Sequence, residues 1–237
     1  MIALAVVIVL SYLIGSIPSS IWVGKVAKGV DIREHGSGNA GATNTFRLLG
    51  WKPGVVVLGI DFFKGYSTSF WISQLAYYIG TGPVALFSFW DVDPFLRIVC
   101  GVVAVIGHMF PIYANFEGGK GMATAAGMLC GIEPVSVGIT AIVFAIVMFT
   151  SRYVSLASLI SAFIYPLVLL VLRYVYDWPI AGSILIFGAL VGLGIIIKHK
   201  GNIKRLIEGT ENRVGSFKPA TGWLNKDKYQ EQQQEQN

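Results

Sequence analysis

The sequence predicts an all-α membrane protein, a bundle of about seven transmembrane helices with its N-terminus outside and its C-terminus in the cytoplasm. Three observations carry that expectation. Of the 237 residues, 54% are hydrophobic and 13% charged, at a mean hydropathy of +0.64, whereas a soluble domain carries about 25% charged residues. Apolar runs of roughly 20 residues, long enough to cross the hydrocarbon core, recur along the chain. The net charge of +5 is also unevenly placed: Lys and Arg gather between residues 25 and 52 and beyond Lys198, a topology signal before it is a nucleic-acid signal. Cys100 and Cys130 sit far apart in apolar runs, which fits packing and gives neither a disulfide framework nor metal-ligand spacing. No metal, cofactor or nucleic acid is expected.

The first span covers residues 2 to about 23. It has no charged n-region before it and no clear small-residue cleavage site, so it reads as a retained helix and not a signal peptide. Lys25, Lys28, Arg33, Arg47 and Lys52 follow within one short loop, which the positive-inside rule places in the cytoplasm. The second span runs from Pro53 to about Ile79 and contains Asp61 and Lys64, one helical turn apart and costly in lipid unless paired. A structural ion pair is the favoured reading over substrate contact, and a double charge swap that restored activity would support it. Asp91 and Asp93 then mark an outside loop, and the third span reaches from about Phe95 to Pro111.

From residue 122 to 149 the apolar run is interrupted by Glu133-Pro134. Breaking the helix there gives four remaining spans, returns Lys198-His199-Lys200 to the cytoplasm, and places Arg152 inside and Asp177 outside. Gly127 with Gly131, and Gly188 with Gly192, are small-xxx-small pairs suited to close helix packing. Beyond Ile197, the spacing of Ile203, Leu206 and Ile207 predicts an amphipathic helix at the cytoplasmic interface. Residues 1–215 therefore read as the membrane domain. Residues 216–237 read as a polar cytoplasmic tail, Gln/Glu-rich at its end and unable to build a core.

Three polar, glycine-containing patches, each carrying Lys or Arg, interrupt this apolar chain on the same predicted side. The first, residues 36–47, is glycine-rich with Ser, Thr and Asn donors and ends in Arg47; the second, residues 115–121, includes Gly118-Gly119-Lys120-Gly121; the third begins at Lys198. Glycines let backbone N–H groups approach phosphate oxygens, and arginine adds a forked, permanent charge. A plain inter-span linker is the alternative for the first patch. Its Gly36-x-Gly38-x-x-Gly41 spacing, with Asp61 following, matches a dinucleotide fingerprint by letter, but that fingerprint needs a strand and a βαβ unit, and both flanks read as membrane spans. The second patch lacks the first glycine and the Ser/Thr of a P-loop, and no G-x-S-x-G elbow exists for a serine hydrolase. His35, His108 and His199 show no zinc spacing. His108, beside a helix-ending proline, suits packing or hydrogen bonding better than base catalysis. His199 is the better base candidate, because Lys198 and Lys200 would favour its neutral form.

These patches resemble the three motifs of the bacterial PlsY family, the membrane acyl-phosphate:glycerol-3-phosphate acyltransferases. Ser37-Gly38-Asn39-x-Gly41-x-Thr43-Asn44-x-x-Arg47 is similar to the first, and Gly118-Gly119-Lys120-Gly121-x-Ala123-Thr124 to the second. The third is matched by His199-x-x-Asn202-Ile203-x-Arg205-Leu206-x-x-Gly209-x-Glu211. Asp61-x-x-Lys64-Gly65, Gly107-His108 and residues 152–158 also look like family segments, so the resemblance covers roughly residues 1–213.

The resemblance implies transfer of a fatty acyl group from acyl phosphate to the 1-hydroxyl of sn-glycerol 3-phosphate, giving lysophosphatidic acid and phosphate at the cytoplasmic face of the bacterial inner membrane. It implies membrane lipid as surroundings and the soluble acyl-phosphate-producing enzyme as a partner. Under it, Ser37, Gly38, Asn39, Gly41, Thr43 and Asn44 cradle the acyl-phosphate head group. Gly118 and Gly119 contribute backbone donors, while Arg47, Lys120, Ser158, His199, Asn202 and Arg205 hold glycerol 3-phosphate or stabilise the departing phosphate. Either His199 or the substrate phosphate takes the hydroxyl proton. Glu211 suits a salt bridge that fixes its segment better than a base. No histidine is followed five residues later by aspartate, so the His-x4-Asp motif of acyl-CoA-type enzymes is absent. The rivals are an anion transporter, for which no internal repeat is visible, and a non-catalytic scaffold, which leaves residues 37–47 unexplained.

Overall fold

The computed structural model describes residues 2–79, 92–211 and 213, and among them it is entirely helical apart from turns and loops. Helix α1 spans Ile2–Gly15 and α2 spans Ser19–Lys28. The sequence expected one continuous helix here. The chain instead breaks at Ser16–Pro18, because proline has no N–H to give the ladder and its ring crowds the preceding turn. Gly29, left-handed at φ 70°, closes α2. Helix α3 covers Ala42–Leu49 and α4 covers Trp51–Ser67, joined at Gly50, whose φ of 87° only glycine adopts readily. A π-helical turn at Thr68–Ile72 continues α4 toward the short α5, Leu75–Tyr78.

Helix α6 spans Val92–Met109, α7 spans Met122–Ile132 and α8 spans Pro134–Ser151. Asp93 sits in the first turn of α6, not in a loop, and accepts from Gln74 and Arg97. Asp91 lies outside the described residues. The break expected at Glu133-Pro134 is present and has a local cause. The Glu133 carboxylate accepts from the N–H groups of Val135 (3.2 Å) and Ser136 (2.6 Å), and Pro134 occupies the first helical position. Helices α9, Val154–Val175, and α10, Gly182–Lys198, follow. Helix α11, Lys200–Ile207, bends away from α10 by 56° with its apolar and cationic residues on separate faces. The polar tail from residue 214 onward lies outside the described residues.

Among the described residues, four stretches are long and apolar enough to cross a membrane: 2–28, 92–114, 134–151 and 154–175. The bent α10–α11 pair would be a fifth. The expected count of about seven included α4 and α7. The first has 17 residues and two buried charges, and the second only 11 residues.

Glycine lets these helices approach backbone to backbone. An added Cβ at Gly127 would overlap the Phe62 carbonyl oxygen, and one at Gly65 the Thr124 carbonyl oxygen, so α4 and α7 are in direct contact. Gly15 lies against Ala104 between α1 and α6, and Gly192 against Ala162 between α9 and α10. The small-residue pairs read from the sequence thus serve packing. One apolar core, including Ile98, Met128, Leu169 and Ile184, joins α6, α7, α9 and α10, and a second, around Val7, Leu96 and Cys100, holds α1 to α6.

Candidate functional site

The first polar patch is shaped by residues on both of its flanks. Asp31 accepts from the Arg33 backbone N–H (3.0 Å) and pairs with the Arg33 guanidinium at 2.8 Å. That guanidinium holds the Asp31 carboxyl below the usual carboxylate range, against the opposing effect of partial burial. The chain then turns through Gly36 and Gly38, at φ 65° and 70°, into α3. Buried Asn44 ties the turn down: its Oδ1 accepts from the Ser37 N–H, and its Nδ2 donates to the carbonyls of Ile32 and His35, each at 3.0 Å. An added Cβ on Gly36 would strike that Asn44 oxygen.

The side chain of Asn44 thus bonds the loop's own backbone and shapes the cradle. Ser37, Gly38, Thr43 and Arg47 are exposed, Asn39 is half-buried, and Gly41 is the N-cap of α3. No side chain caps α3, so its first-turn N–H groups are unspent by a local acceptor.

The second patch follows α6. Pro111 and a 3₁₀ turn at Ile112–Ala114 lead into Asn115 and Phe116, both left-handed, at φ 55° and 62°. The chain then folds back on the end of α6. The Gly118 N–H donates to the Met109 carbonyl and the Gly119 N–H to the His108 carbonyl, both at 3.2 Å. Here the expectation changes. These two glycines do not offer their N–H groups to phosphate, because the terminal carbonyls of α6 take them. Glycine is required there for closeness: a Cβ on Gly118 would overlap the His108 carbonyl, and one on Gly119 would overlap the His108 ring and crowd the Ala40 carbonyl. Lys120 is exposed, and Gly121, at φ 76°, starts α7, which also has no side-chain cap.

The two patches are braced together. Arg33 donates across to the Ala114 carbonyl (3.2 Å) and to Glu117 (3.3 Å), while Gly119 abuts Ala40. Two glycine loops, each opening a helix with an uncapped N-terminus, therefore share one contact surface. Aligned first-turn N–H groups next to an exposed Lys are a setting for phosphate oxygens.

Beneath this surface lies a buried polar cluster. Asp61 and Lys64 form the expected ion pair at 2.8 Å, with side chains 1% and 3% exposed. The Ser19 hydroxyl donates to Asp61 at 2.5 Å, and the Lys64 ammonium also donates to the Ile17 carbonyl at 2.8 Å. His108 joins through its Nδ1, 3.2 Å from Lys64 Nζ and 3.4 Å from Asp61. Packing or hydrogen bonding was the favoured reading of His108 from sequence. Ser19 and Asp31 were not singled out, Arg33 was read only as a topology charge and Glu117 only as part of the second patch; the available signals were the Asp31-x-Arg33 spacing and a serine following a helix-breaking proline.

The third patch is organised around α11 and packs on the start of α9. Glu211 accepts from Asn202 Nδ2 (2.8 Å) and from Arg205 Nε (2.7 Å). Burial opposes the charged form of Glu211, yet hydrogen bonds from Asn202 and Arg205 outweigh it and hold the carboxyl below its usual range. A carboxylate so engaged is a brace, as the sequence favoured, and it draws Asn202 and Arg205 into one arrangement. Arg213 donates to the Tyr153 hydroxyl at 2.8 Å and lies over its ring. His199 Nδ1 lies 2.8 Å from the Ile195 carbonyl. A carbonyl can only accept, so Nδ1 carries a proton, and in the neutral ring Nε2 keeps the lone pair. Ser158 is half-buried, and its hydroxyl donates to the Val154 carbonyl at 2.9 Å.

The Glu211 brace has a pH dependence with a definite sign. Its folded carboxyl is depressed, so its contribution is present above the unfolded value and is lost as pH falls through the folded one. Protection of the α11 amides, measured against their intrinsic exchange rate at each pH, is expected to fall when pH is lowered through that window, and Glu211→Gln to be less protected already at neutral pH. Equal exchange in parent and variant at pH 7 would show that the carboxylate does not hold α11.

Comparison with known proteins gives a consistent result. The family profile described as "Glycerol-3-phosphate acyltransferase" matches residues 5–209. A curated "Glycerol-3-phosphate acyltransferase" of Salinibacter ruber is 44% identical over 225 residues, 94% of this chain and 97% of that protein. One of the same description from Chlorobaculum tepidum is also 44% identical, covering 90% and 97%. Two solved structures are similar, both of PlsY (YgiH), an integral membrane glycerol 3-phosphate acyltransferase. The glycerol 3-phosphate form has a TM-score of 0.67 at 34% identity and covers 90% of this chain and 96% of its own. The lysophosphatidic acid form has a TM-score of 0.68 at 33% identity and covers 90% and 95%.

Proposed function

The chain belongs to the glycerol-3-phosphate acyltransferase family, and from that premise we propose that it takes its acyl group from a fatty acyl phosphate and releases lysophosphatidic acid. The observation that carries this reading is the pairing of two glycine loops, each leading into an uncapped helix N-terminus, at one braced surface. Two phosphate-bearing substrates call for paired anion cradles. The glycerol 3-phosphate form of the similar solved protein supports the acceptor, and its lysophosphatidic acid form supports the product.

In this mechanism the 1-hydroxyl oxygen of glycerol 3-phosphate attacks the acyl carbonyl carbon. The bond from that carbon to the phosphate oxygen breaks, and phosphate leaves with the electron pair. The hydroxyl proton goes either to Nε2 of His199, whose lone pair is free, or to the substrate phosphate. An acyl phosphate is already activated, so positioning and charge stabilisation suffice without a covalent nucleophile. Ser37, Gly38, Asn39, Gly41 and Thr43, with the first turn of α3, take the acyl-phosphate head group, and Asn44 keeps that cradle in shape. Lys120 and Arg47, with the first turn of α7 and with His199, Asn202, Arg205 and Ser158, take glycerol 3-phosphate and the phosphate being released. We further place the site at the cytoplasmic face of the bacterial inner membrane, where a soluble enzyme could hand over acyl phosphate, with an outside N-terminus and about seven crossings.

The test uses the full chain, purified in detergent and incubated with palmitoyl phosphate and glycerol 3-phosphate. Phosphate and lysophosphatidic acid are expected in equal amounts, and palmitoyl-CoA in place of palmitoyl phosphate is expected to give neither. Acylation from palmitoyl-CoA, with palmitoyl phosphate left intact, would overturn the donor assignment.

A further inference from the structure

The buried cluster under the two loops does more than pair charges. Three polar groups surround the Lys64 ammonium: Asp61 at 2.8 Å, the Ile17 carbonyl at 2.8 Å and His108 Nδ1 at 3.2 Å. His108 Nδ1 also lies 3.4 Å from Asp61, so this edge of the ring faces both members of the ion pair. The His108 ring, 7% exposed, is thereby held at one edge by Lys64. Its other edge, Nε2 and Cε1, lies where a Cβ on Gly119 would sit. The His108 backbone carbonyl accepts the Gly119 N–H at 3.2 Å, so the loop is fastened to this one residue at two points. Ser19 and Asp61, from α2 and α4, complete the chain of contacts from the helix bundle to the loop.

We infer that His108 is a positioning residue for Lys120: the Asp61–Lys64 pair orients its ring, and the ring seats Gly119 so that Lys120 meets the phosphate of the acceptor substrate. Nothing in this role moves a proton. His108 acts through the loop, and the inference rests on the reading of Lys120 as a phosphate ligand. A side chain that supports a binding group from behind changes affinity first, because a small displacement of a charged contact weakens binding while the reacting atoms keep their chemistry.

The test compares His108→Asn, His108→Ala, Lys120→Ala and the His108→Asn/Lys120→Ala double variant, each as the purified full chain. Asparagine can place its Oδ1 near the position of Nδ1 and accept from Lys64, but it withdraws the far ring edge from Gly119. His108→Asn is therefore expected to raise KM for glycerol 3-phosphate about tenfold, with kcat and Tm close to the parent's. His108→Ala also strips a polar partner from Lys64 and is expected to lower Tm as well. Because His108 works through Lys120, the double variant is expected to be no worse than Lys120→Ala alone. Losses that multiply in the double variant, or an unchanged KM in His108→Asn, would overturn the inference. Calorimetric affinity for glycerol 3-phosphate in the same proteins separates the two questions. Should the parent not turn over palmitoyl phosphate, the donor assignment fails, while the affinity pattern still decides the role of His108.

Discussion

Lys120→Ala is expected to lower the rate of phosphate release from palmitoyl phosphate by about 10²–10³-fold, the usual effect of removing one preorganised charge-stabilising donor. The side chain is exposed at the start of α7, beyond a loop whose glycine N–H groups are already bound to the end of α6. That detail raises the stake on this residue. With Gly118 and Gly119 engaged by the end of α6, Lys120 is the one cationic side chain that the second loop offers an anion. The fold should not suffer, since the lysine makes no ion pair among the described residues and packs into no core. Tm and elution volume are therefore expected to match the parent's. Lys120→Arg keeps the charge but changes its shape from a compact ammonium to a planar fork, and is expected to recover only part of the rate. Turnover by Lys120→Ala within threefold of the parent, at saturating substrate, would remove this residue from the site.

Much of this site was legible in the sequence, and the parts that were not share a physical cause. Polar, glycine-rich stretches in an apolar chain are expensive unless they serve something, so residues 36–47, 118–121 and 199–211 stood out. The Asp61–Lys64 pair was legible for the same reason: two charges one turn apart in a span have to meet. The break at Glu133-Pro134 showed itself through charge parity, and the structure adds the Glu133 cap as its local cause. What could not be read is which group each polar atom faces. Asn44 looks like a ligand by composition, yet its side chain bonds the loop's own backbone. Gly118 and Gly119 look like phosphate donors, yet their N–H groups finish a helix. Arg33 looks like a topology charge and proves to be the strut between two loops. The Arg33 contacts reach across more than 80 residues, and the others depend on how each loop folds back on itself; spacing of residue types carries no record of either. The first span is long and apolar enough to cross a membrane, as expected, but that same apolar run hid the break that Pro18 imposes within it.

Asp61→Ala is expected to destabilise the fold more than any of the loop variants, because it strands a buried ammonium. Removing one partner of a buried ion pair costs about 3–5 kcal/mol, since the remaining charge keeps its desolvation penalty without its counter-charge. Lys64 would retain only the neutral Ile17 carbonyl and His108 Nδ1. The expected result is a large fall in Tm in detergent, with loss of monodisperse protein. Asp61→Ala combined with Lys64→Met removes both charges and is expected to recover most of that stability, which separates charge burial from lost packing. The charge-swapped double variant, Asp61→Lys with Lys64→Asp, is the sharper probe. Were the pair an isolated ion pair, exchanging its ends would restore it. The surroundings are not symmetric, however. A carboxylate at position 64 would face the Ile17 carbonyl oxygen, an acceptor that an ammonium satisfies and a carboxylate repels. The swap is therefore expected to fail to restore stability, where the sequence alone suggested that it could succeed. Recovery of parental Tm by the swap would show that the Ile17 carbonyl contributes little, and would reduce the cluster to the simple pair visible in the sequence.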